Sequence, residues 1–237
     1  MEAAMYKALS GAVVEMRRLD TASQDLANIN TAGYKGQRLA FSEVLAKRVA
    51  PEDRPGGFVA IAGQRTNLHQ GAIEGSGNPF HLAIEGDGYF VIQTSRGERY
   101  TRNGGFTLRG DGTVITPGGD SLLGEGGPIL LNGGSMVVAP DGTVHSDNNE
   151  IGKLRMVRFK DADKVEKEGA NLFRSDRANV TAAGDARIVQ GHLEQSNVSA
   201  VESMVALISI NRQFESYQRA MKLLDSVTEK ILSDSSR

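Results

Sequence analysis

Two apolar stripes bracket this 237-residue chain, and they constrain its folding more than any other feature. Near the N-terminus Met5, Leu9, Ala12, Met16, Leu19, Ser23 and Leu26 recur at alternating spacings of four and three. Near the C-terminus Leu207, Ile210, Phe214, Tyr217, Met221, Leu224, Thr228 and Ile231 do the same. A period of 3.5 residues predicts long helices with a narrow seam, suited to packing on other helices. Helix-breaking residues are almost entirely kept out of both stretches. Residues 1–30 hold a single glycine, Gly11, and no proline, and residues 192–237 hold neither. Helix formers therefore sit at the extremities and turn formers in between. Helices of ~25–30 residues would be about 37–45 Å long. That is too long to lie flat on a body of ordinary size, so the stripes are expected to pack on each other and on other subunits. Ser199 and Glu202 form a candidate capping box for the second helix, with Asn197 as an alternative cap. The first helix should run out near Asn28–Asn30, with Gly33 able to take a left-handed conformation.

The interior divides in two. Residues 36–65 read as a polar connector broken by Pro51, Pro55, Gly56 and Gly57, with a short helical turn expected around Ala40–Val49. From 66 to 192 the period falls to two. Leu82–Ile84 and Tyr89–Ile92 flank Glu85-Gly-Asp-Gly88 and predict a hairpin. Phe106–Leu108 with Thr113–Ile115, and Met136–Val138 with Thr143–Val144, predict two more, and Leu154, Met156, Val157 and Phe159 a further strand. The expected fold is a mainly β central domain, irregular and sandwich- or barrel-like, flanked by long N- and C-terminal helices that form an intersubunit coiled-coil layer. Its segments are 1–35, 36–65, 66–192 and 193–237.

Composition and motifs argue against chemistry. The chain carries 27 Lys plus Arg against 29 Asp plus Glu, which leaves no basic excess for nucleic acid. It has no cysteine, hence no disulfide, thiolate metal site or thiol nucleophile. His69, His81, His145 and His192 are dispersed, without metal-ligand spacing. Gly86-Asp-Gly88 is not a dinucleotide fingerprint, and Gly75-Ser-Gly77 lacks the offset of a nucleophile elbow. Asp141–Glu150 reads as a hairpin turn and not as a calcium loop. The expectation is no catalytic residue, no cofactor, no metal and no nucleic-acid partner. Glu2, Lys7 and Glu15 interrupt the apolar run that a secretory leader needs. Its longest apolar stretch, Met204–Ile210, falls well below a membrane span, so no direct membrane insertion is expected.

Local motifs add what periodicity does not. Ser23-Gln-Asp-Leu-Ala-Asn-Ile-Asn-Thr-Ala-Gly-Tyr-Lys35 resembles the N-terminal signature of the bacterial flagellar rod and hook proteins. Leu193-Glu-Gln-Ser-Asn-Val198, with Val201-Glu-Ser-Met204, Leu207-Ile208 and Arg212-Gln-Phe-Glu215, resembles their C-terminal signature. Between them Asn78-Pro79, Ala83-Ile-Glu-Gly86, Gly88-Tyr-Phe90 and Tyr100-Thr-Arg102 match the body of the longer members. The signature positions are Leu26, Ala27, Asn28, Thr31, Gly33, Tyr34, Lys35, Glu194, Ser196, Asn197 and Val198. One departure is His81, where the family typically carries Asp.

The resemblance implies a structural, non-enzymatic subunit of the proximal rod, the periplasmic drive shaft of the basal body. It implies export through the flagellar type III apparatus without a cleaved signal peptide. It also implies partners among proximal and distal rod subunits and copies of the chain itself. The expected assembly seam is Met5, Leu9, Met16, Leu19, Leu26, Leu207, Ile210, Phe214, Tyr217, Met221, Leu224 and Ile231, largely exposed in a lone subunit. A distal rod or hook subunit is the alternative within the family. A peptidoglycan-binding or lytic β-domain protein is the alternative outside it.

Overall fold

A computed structural model describes residues 2–45, 57–147 and 149–235, with side-chain surroundings for 8–40, 63–147, 149–227. Its α-helices among these residues are α1 (Glu2–Ala27) and α2 (Ala200–Ser235). The strands are β1 (Gln37–Leu45), β2 (Gly57–Thr66), β3 (Ile73–Gly75), β4 (Leu82–Glu85), β5 (Tyr89–Thr94), β6 (Gly97–Thr101), β7 (Thr107–Leu108), β8 (Val114–Ile115), β9 (Ser121–Gly124) and β10 (Gly127–Pro128). They continue as β11 (Val137–Val138), β12 (Thr143–Ser146), β13 (Asn149–Lys153), β14 (Met156–Phe159), β15 (Glu166–Lys167), β16 (Leu172–Arg174), β17 (Val180–Ala182), β18 (Arg187–Gln190) and β19 (His192–Glu194). The fold is thus mainly β between two terminal helices.

The chain forms two units. One comprises Met1–Ala27, Gln37–Arg65 and Ser199–Arg237, and the other Asn28–Gly36 and Thr66–Val198. Residues 28–35 and 193–198, expected to belong with the terminal helices, and Gly36, expected in the connector, fall in the β unit.

In the helical unit α1 and α2 run antiparallel, since Arg18 meets Gln213 while Gly11 meets Tyr217 further along. Gly11 lies under the Tyr217 ring: a Cβ on it would stand 2.6 Å from ring atoms, so a larger residue would force that side chain to move. Ser199 caps α2, its Oγ accepting from the Glu202 amide at 3.4 Å. Gln37 to Leu45 is a strand paired with β2, not the helical turn expected from Ala40 onward. An isolated turn of that length cannot repay its nucleation cost, whereas pairing satisfies the same backbone groups across the ladder. The remainder of that expected turn, to Val49, and the breakers Pro51, Pro55 and Gly56 lie outside the described residues.

The β unit is organised around β5. Its sequence Tyr-Phe-Val-Ile-Gln-Thr is buried at all but Gln93, as suits a central strand. Alternation divides its side chains between two apolar clusters. Phe90 and Ile92 join Leu82, Phe106, Leu122, Val144 and their neighbours. Tyr89 and Val91 join Tyr100, Leu123, Val157 and Phe173. Aromatic pairs fill these cores: Phe90 and Phe106 meet edge-on at 5.2 Å, and Tyr89 lies 4.6 Å from Phe159. β5 pairs antiparallel with β6, β9 and β14, leaving no edge for β4. The hairpin predicted across Glu85–Gly88 therefore does not form, and β4 pairs with β18 near the end of the unit. The β7–β8 and β11–β12 hairpins form, β12 returns into β13 through the turn after Ser146, and 156–159 is a strand.

Phe90→Ala should cost about 3–5 kcal/mol, because a side chain with no exposed surface leaves a cavity on a central strand. Urea unfolding followed by circular dichroism measures this loss.

Candidate functional site

Chain crossings between the units fall after Ala27, after Gly36, before Thr66 and after Val198. On the β unit these exits are gathered into a clasp built from both terminal signatures. Glu194, at the end of β19, is its centre. Its side chain is fully buried, as is that of Lys35, and the Arg102 side chain is almost so. Lys35 Nζ donates to Glu194 Oε1 at 2.5 Å, and Arg102 Nη1 donates to Glu194 Oε2 at 3.0 Å. The Gly71 amide adds a third bond to Oε1 at 3.0 Å. Both cations also donate to backbone carbonyls, Lys35 to His69 and Arg102 to Ile84 and Gly86, while Arg102 Nε is buried without a hydrogen-bond partner. A buried carboxylate held by cations and an amide meets the condition under which interior charge is tolerated.

Asn197 completes the clasp. Its Oδ1 accepts from the Gly36 amide at 2.9 Å, and its Nδ2 donates to Asn67 and His69 carbonyls at 2.8 and 2.9 Å. Its backbone amide reaches the Tyr34 carbonyl at 3.3 Å. One side chain thereby ties the segments leaving after Gly36, before Thr66 and after Val198. It does not cap α2, since these bonds engage it. Around it the Gly33 amide donates to the Glu194 carbonyl at 2.7 Å, Asn171 to Ala32, and Lys167 to the Lys35 carbonyl. The Lys167 ammonium also stands 3.6 Å above the centre of the Tyr34 ring. Gly33 has φ +66°, and a Cβ there would meet the Asn103 amide nitrogen at 2.3 Å, so glycine is demanded twice over.

Electrostatics follow from burial. Desolvation pulls the Lys35 ammonium below the usual lysine range, with the Glu194 ion pair and hydrogen bond opposing it. Tyr89, its ring 5.2 Å from the Arg102 guanidinium, is pushed up to about 12, chiefly by desolvation. His81 is fixed by neutral contacts. Asn78 Oδ1 accepts from the Phe80 amide, so its nitrogen faces His81 Nε2 at 3.3 Å, and Ser76 Oγ lies 2.8 Å from His81 Nδ1.

Of the signature positions, Gly33, Tyr34, Lys35, Glu194 and Asn197 converge in the clasp. Asn28 and Thr31 form the turn leading into it, with Thr31 Oγ1 on Asn28 Oδ1. Ser196 Oγ accepts from the Val198 amide. Leu26 is half-buried and Ala27 exposed at the end of α1. The seam residues distribute differently. On α2, Ile210 is buried and Leu207, Phe214, Tyr217, Met221 and Leu224 are half-buried, on the side that meets α1 of the same chain. The expectation that this stripe is largely exposed in a lone subunit is corrected: α1 partly covers it. On α1 the buried residues are Gly11, Ala12, Val14, Glu15 and Thr21, of which Ala12 belongs to the stripe, while Leu9 and Met16 remain 49% and 51% exposed and Leu19 half-buried. Gly11 lies under the Tyr217 ring, and the bulky Leu9 and Met16 stand on the exposed side of α1. Met5 and Ile231 lie outside the residues with described side chains.

Sequence reasoning missed Arg102 as a site residue, although it stands in a quoted motif. It also missed a second α2 stripe, Val201, Met204, Val205 and Ile208, with exposures from 52% to 72%. That stripe was legible as an i, i+3, i+4, i+7 pattern. Among the described residues no cluster of three metal-ligating side chains occurs, and no helix is long and apolar enough to cross a membrane.

Comparison with known proteins decides the family. The chain is 35% identical over 235 residues to the flagellar basal-body rod protein FlgF of Caulobacter vibrioides, covering 97% of this chain and 95% of that one. It belongs to the flagellar basal-body rod protein family. FlgF of Rhizobium meliloti is 31% identical, with 98% and 97% of the two chains covered. FlgG of Bacillus subtilis is 28% identical, with 97% of each covered. A model described as the flagellar hook protein FlgE/F/G D1 domain matches residues 83–146. One described as the flagellar basal body rod FlgEFG protein C-terminal matches 189–234. The rod-family D1 match covers β5 and much of the first core. The C-terminal match carries Glu194 and Asn197 together with α2. As a rod protein the chain has a structural role, and its buried charges serve cohesion.

Glu194→Gln should destabilise the β unit by about 3–5 kcal/mol, since it leaves buried cations without their carboxylate. Lys35→Met should cost less, because Glu194 keeps Arg102. Urea midpoints for both variants give the order.

Alkaline pH should act through Tyr89. With its folded value raised, the contribution is fully present below about 10 and is lost as pH rises through about 12. Tyr89→Phe should flatten that decline in thermal melts taken between those limits.

Proposed function

We propose that this rod subunit is built into the proximal rod, across the periplasm, by packing its helix pair against copies of itself and against proximal and distal sister subunits. Export by the flagellar type III apparatus, without a cleaved leader, accompanies this reading. In it α1 and α2 form the inner layer of a helical assembly and the β unit contributes outer surface. The observation that supports it is the outer side of the helix pair. Leu9, Val13 and Met16 on α1, and Val201, Val205 and Ile208 on α2, are each spaced i, i+4, i+7 and each exposed in the lone chain. Apolar stripes at helical spacing, left in water after the chain has paired its own helices, are characteristic of protein-docking faces. Covering them would contribute roughly 25 cal/mol per Å² of apolar area removed from water.

The two stripes differ, so a contact joining one to the other is head-to-tail and propagates, as a shaft requires. The expected seam is thus divided: its α2 members serve the helix pair, and Leu9 and Met16 face neighbours.

Val205→Glu with Ile208→Glu, and separately Leu9→Glu with Met16→Glu, should abolish motility and rod completion. Exposed surface changes of this kind leave monomer stability within about 0.5 kcal/mol. Motility assays, isolated basal bodies and thermal melts measure these outcomes. Intact basal bodies and normal swimming in both variants would remove the proposal.

A further inference from the structure

We propose that the register between α1 and α2 is set by a polar key, Glu15 with Gln213, and not by the apolar seam that holds the helices together. The seam is poor at register. Leu207, Ile210, Phe214, Tyr217, Met221 and Leu224 repeat bulky apolar residues at every step, so sliding by a heptad still buries apolar surface. Glu15 is the exception. It is a carboxylate buried to 7% exposure in the face that meets α2. Arg18, on its own helix, donates to both of its oxygens at 3.1 and 3.2 Å. Gln213 is the partner across the pair, and its amide is tied to α1 in either orientation. Its oxygen accepts from Arg18 Nη1 at 3.3 Å, or its nitrogen donates to the Glu15 oxygens at 3.1 and 3.2 Å.

Sliding α2 by one heptad either way removes this partner. The residues seven before and seven after Gln213 are Ala206 and Ala220, neither of which can bond a carboxylate. Slipped alignments therefore keep the Arg18 contacts of Glu15 but take Gln213 away from it. One polar position that finds its partner in a single alignment sets register in coiled coils at some expense of stability. Gly11 beneath Tyr217 acts in the same sense, since a slip would place Ile210 or Leu224 over it. Register matters because it fixes how the outward stripes of the two helices stand relative to each other.

The experiment transposes the key. The chain has no cysteine, so Arg17→Cys with Arg219→Cys, both on exposed positions, accepts a unique pair of spin labels. Diluted with unlabelled protein, the native sequence should give a single intramolecular distance population. Gln213→Ala with Ala220→Gln should produce a second population, displaced along the pair by about 10.5 Å, one heptad of helix rise. Glu15→Leu with Gln213→Leu should keep its helix content by circular dichroism while its distance distribution becomes multiple. A single, unmoved population in the transposed variant would overturn the proposal. So would a single population in the Glu15→Leu, Gln213→Leu variant with helix content retained.

Discussion

Glu194 is the residue on which the rest of the β unit depends. Lys35 and Arg102 reach the interior from segments far apart in the chain, and each would be a costly buried cation without this carboxylate. Each of the clasp's elements presupposes that contact. β19, which carries Glu194, pairs with β3, and the preceding β18 pairs with β4, so the last strands of the unit close against its first. Gly71 and Gly33 bring their amides to the same residue, one to its side chain and one to its carbonyl. The network couples ion pairing to sheet closure: breaking the charge contact opens the place where both terminal signatures are anchored.

This arrangement explains why a rod-family subunit carries signatures at its two ends. Read along the chain, they look like extensions of the terminal helices. In the structure much of each signature belongs to the β unit, where Asn197 and Glu194 hold the exits of the chain. Family resemblance at these positions therefore reports an internal joint. The surfaces proposed to meet neighbours lie on outward faces of α1 and α2; Leu9, Val13 and Met16 stand outside the signatures, whereas Val201 and Ile208 fall within the C-terminal one.

The helix pair shows how local pattern and packing disagree. On α2 the 3.5-residue stripe and the inner face coincide, because bulky residues there have a helix to cover. On α1 they overlap at Ala12 but not at Leu9 and Met16. Gly11 lies under the Tyr217 ring, Val14 and Glu15 are buried off the stripe, and Leu9 and Met16 stand exposed. A stripe in the sequence identifies a face that seeks burial, but which neighbour buries it depends on the size of the groups opposite. The Glu85–Gly88 segment fails for a related reason: its turn chemistry is sound, yet β5 has its edges taken by β6, β9 and β14, and β4 finds β18 instead.

By itself the sequence determined that the ends are helical, that the middle is a β body of short strands, and that the chain resembles rod and hook proteins. These follow from periodicity, glycine and proline placement and contiguous motifs, all properties of neighbours along the chain. Only the tertiary structure decided that Lys35, Arg102 and Glu194 form one buried cluster, that Asn197 ties the exits, and that Leu9 and Met16 face out while Ile210 faces in. Such facts depend on which distant segments meet. Desolvation makes that choice sharp, since a charge or a bulky ring is tolerated inside only where a specific partner or a specific gap awaits it.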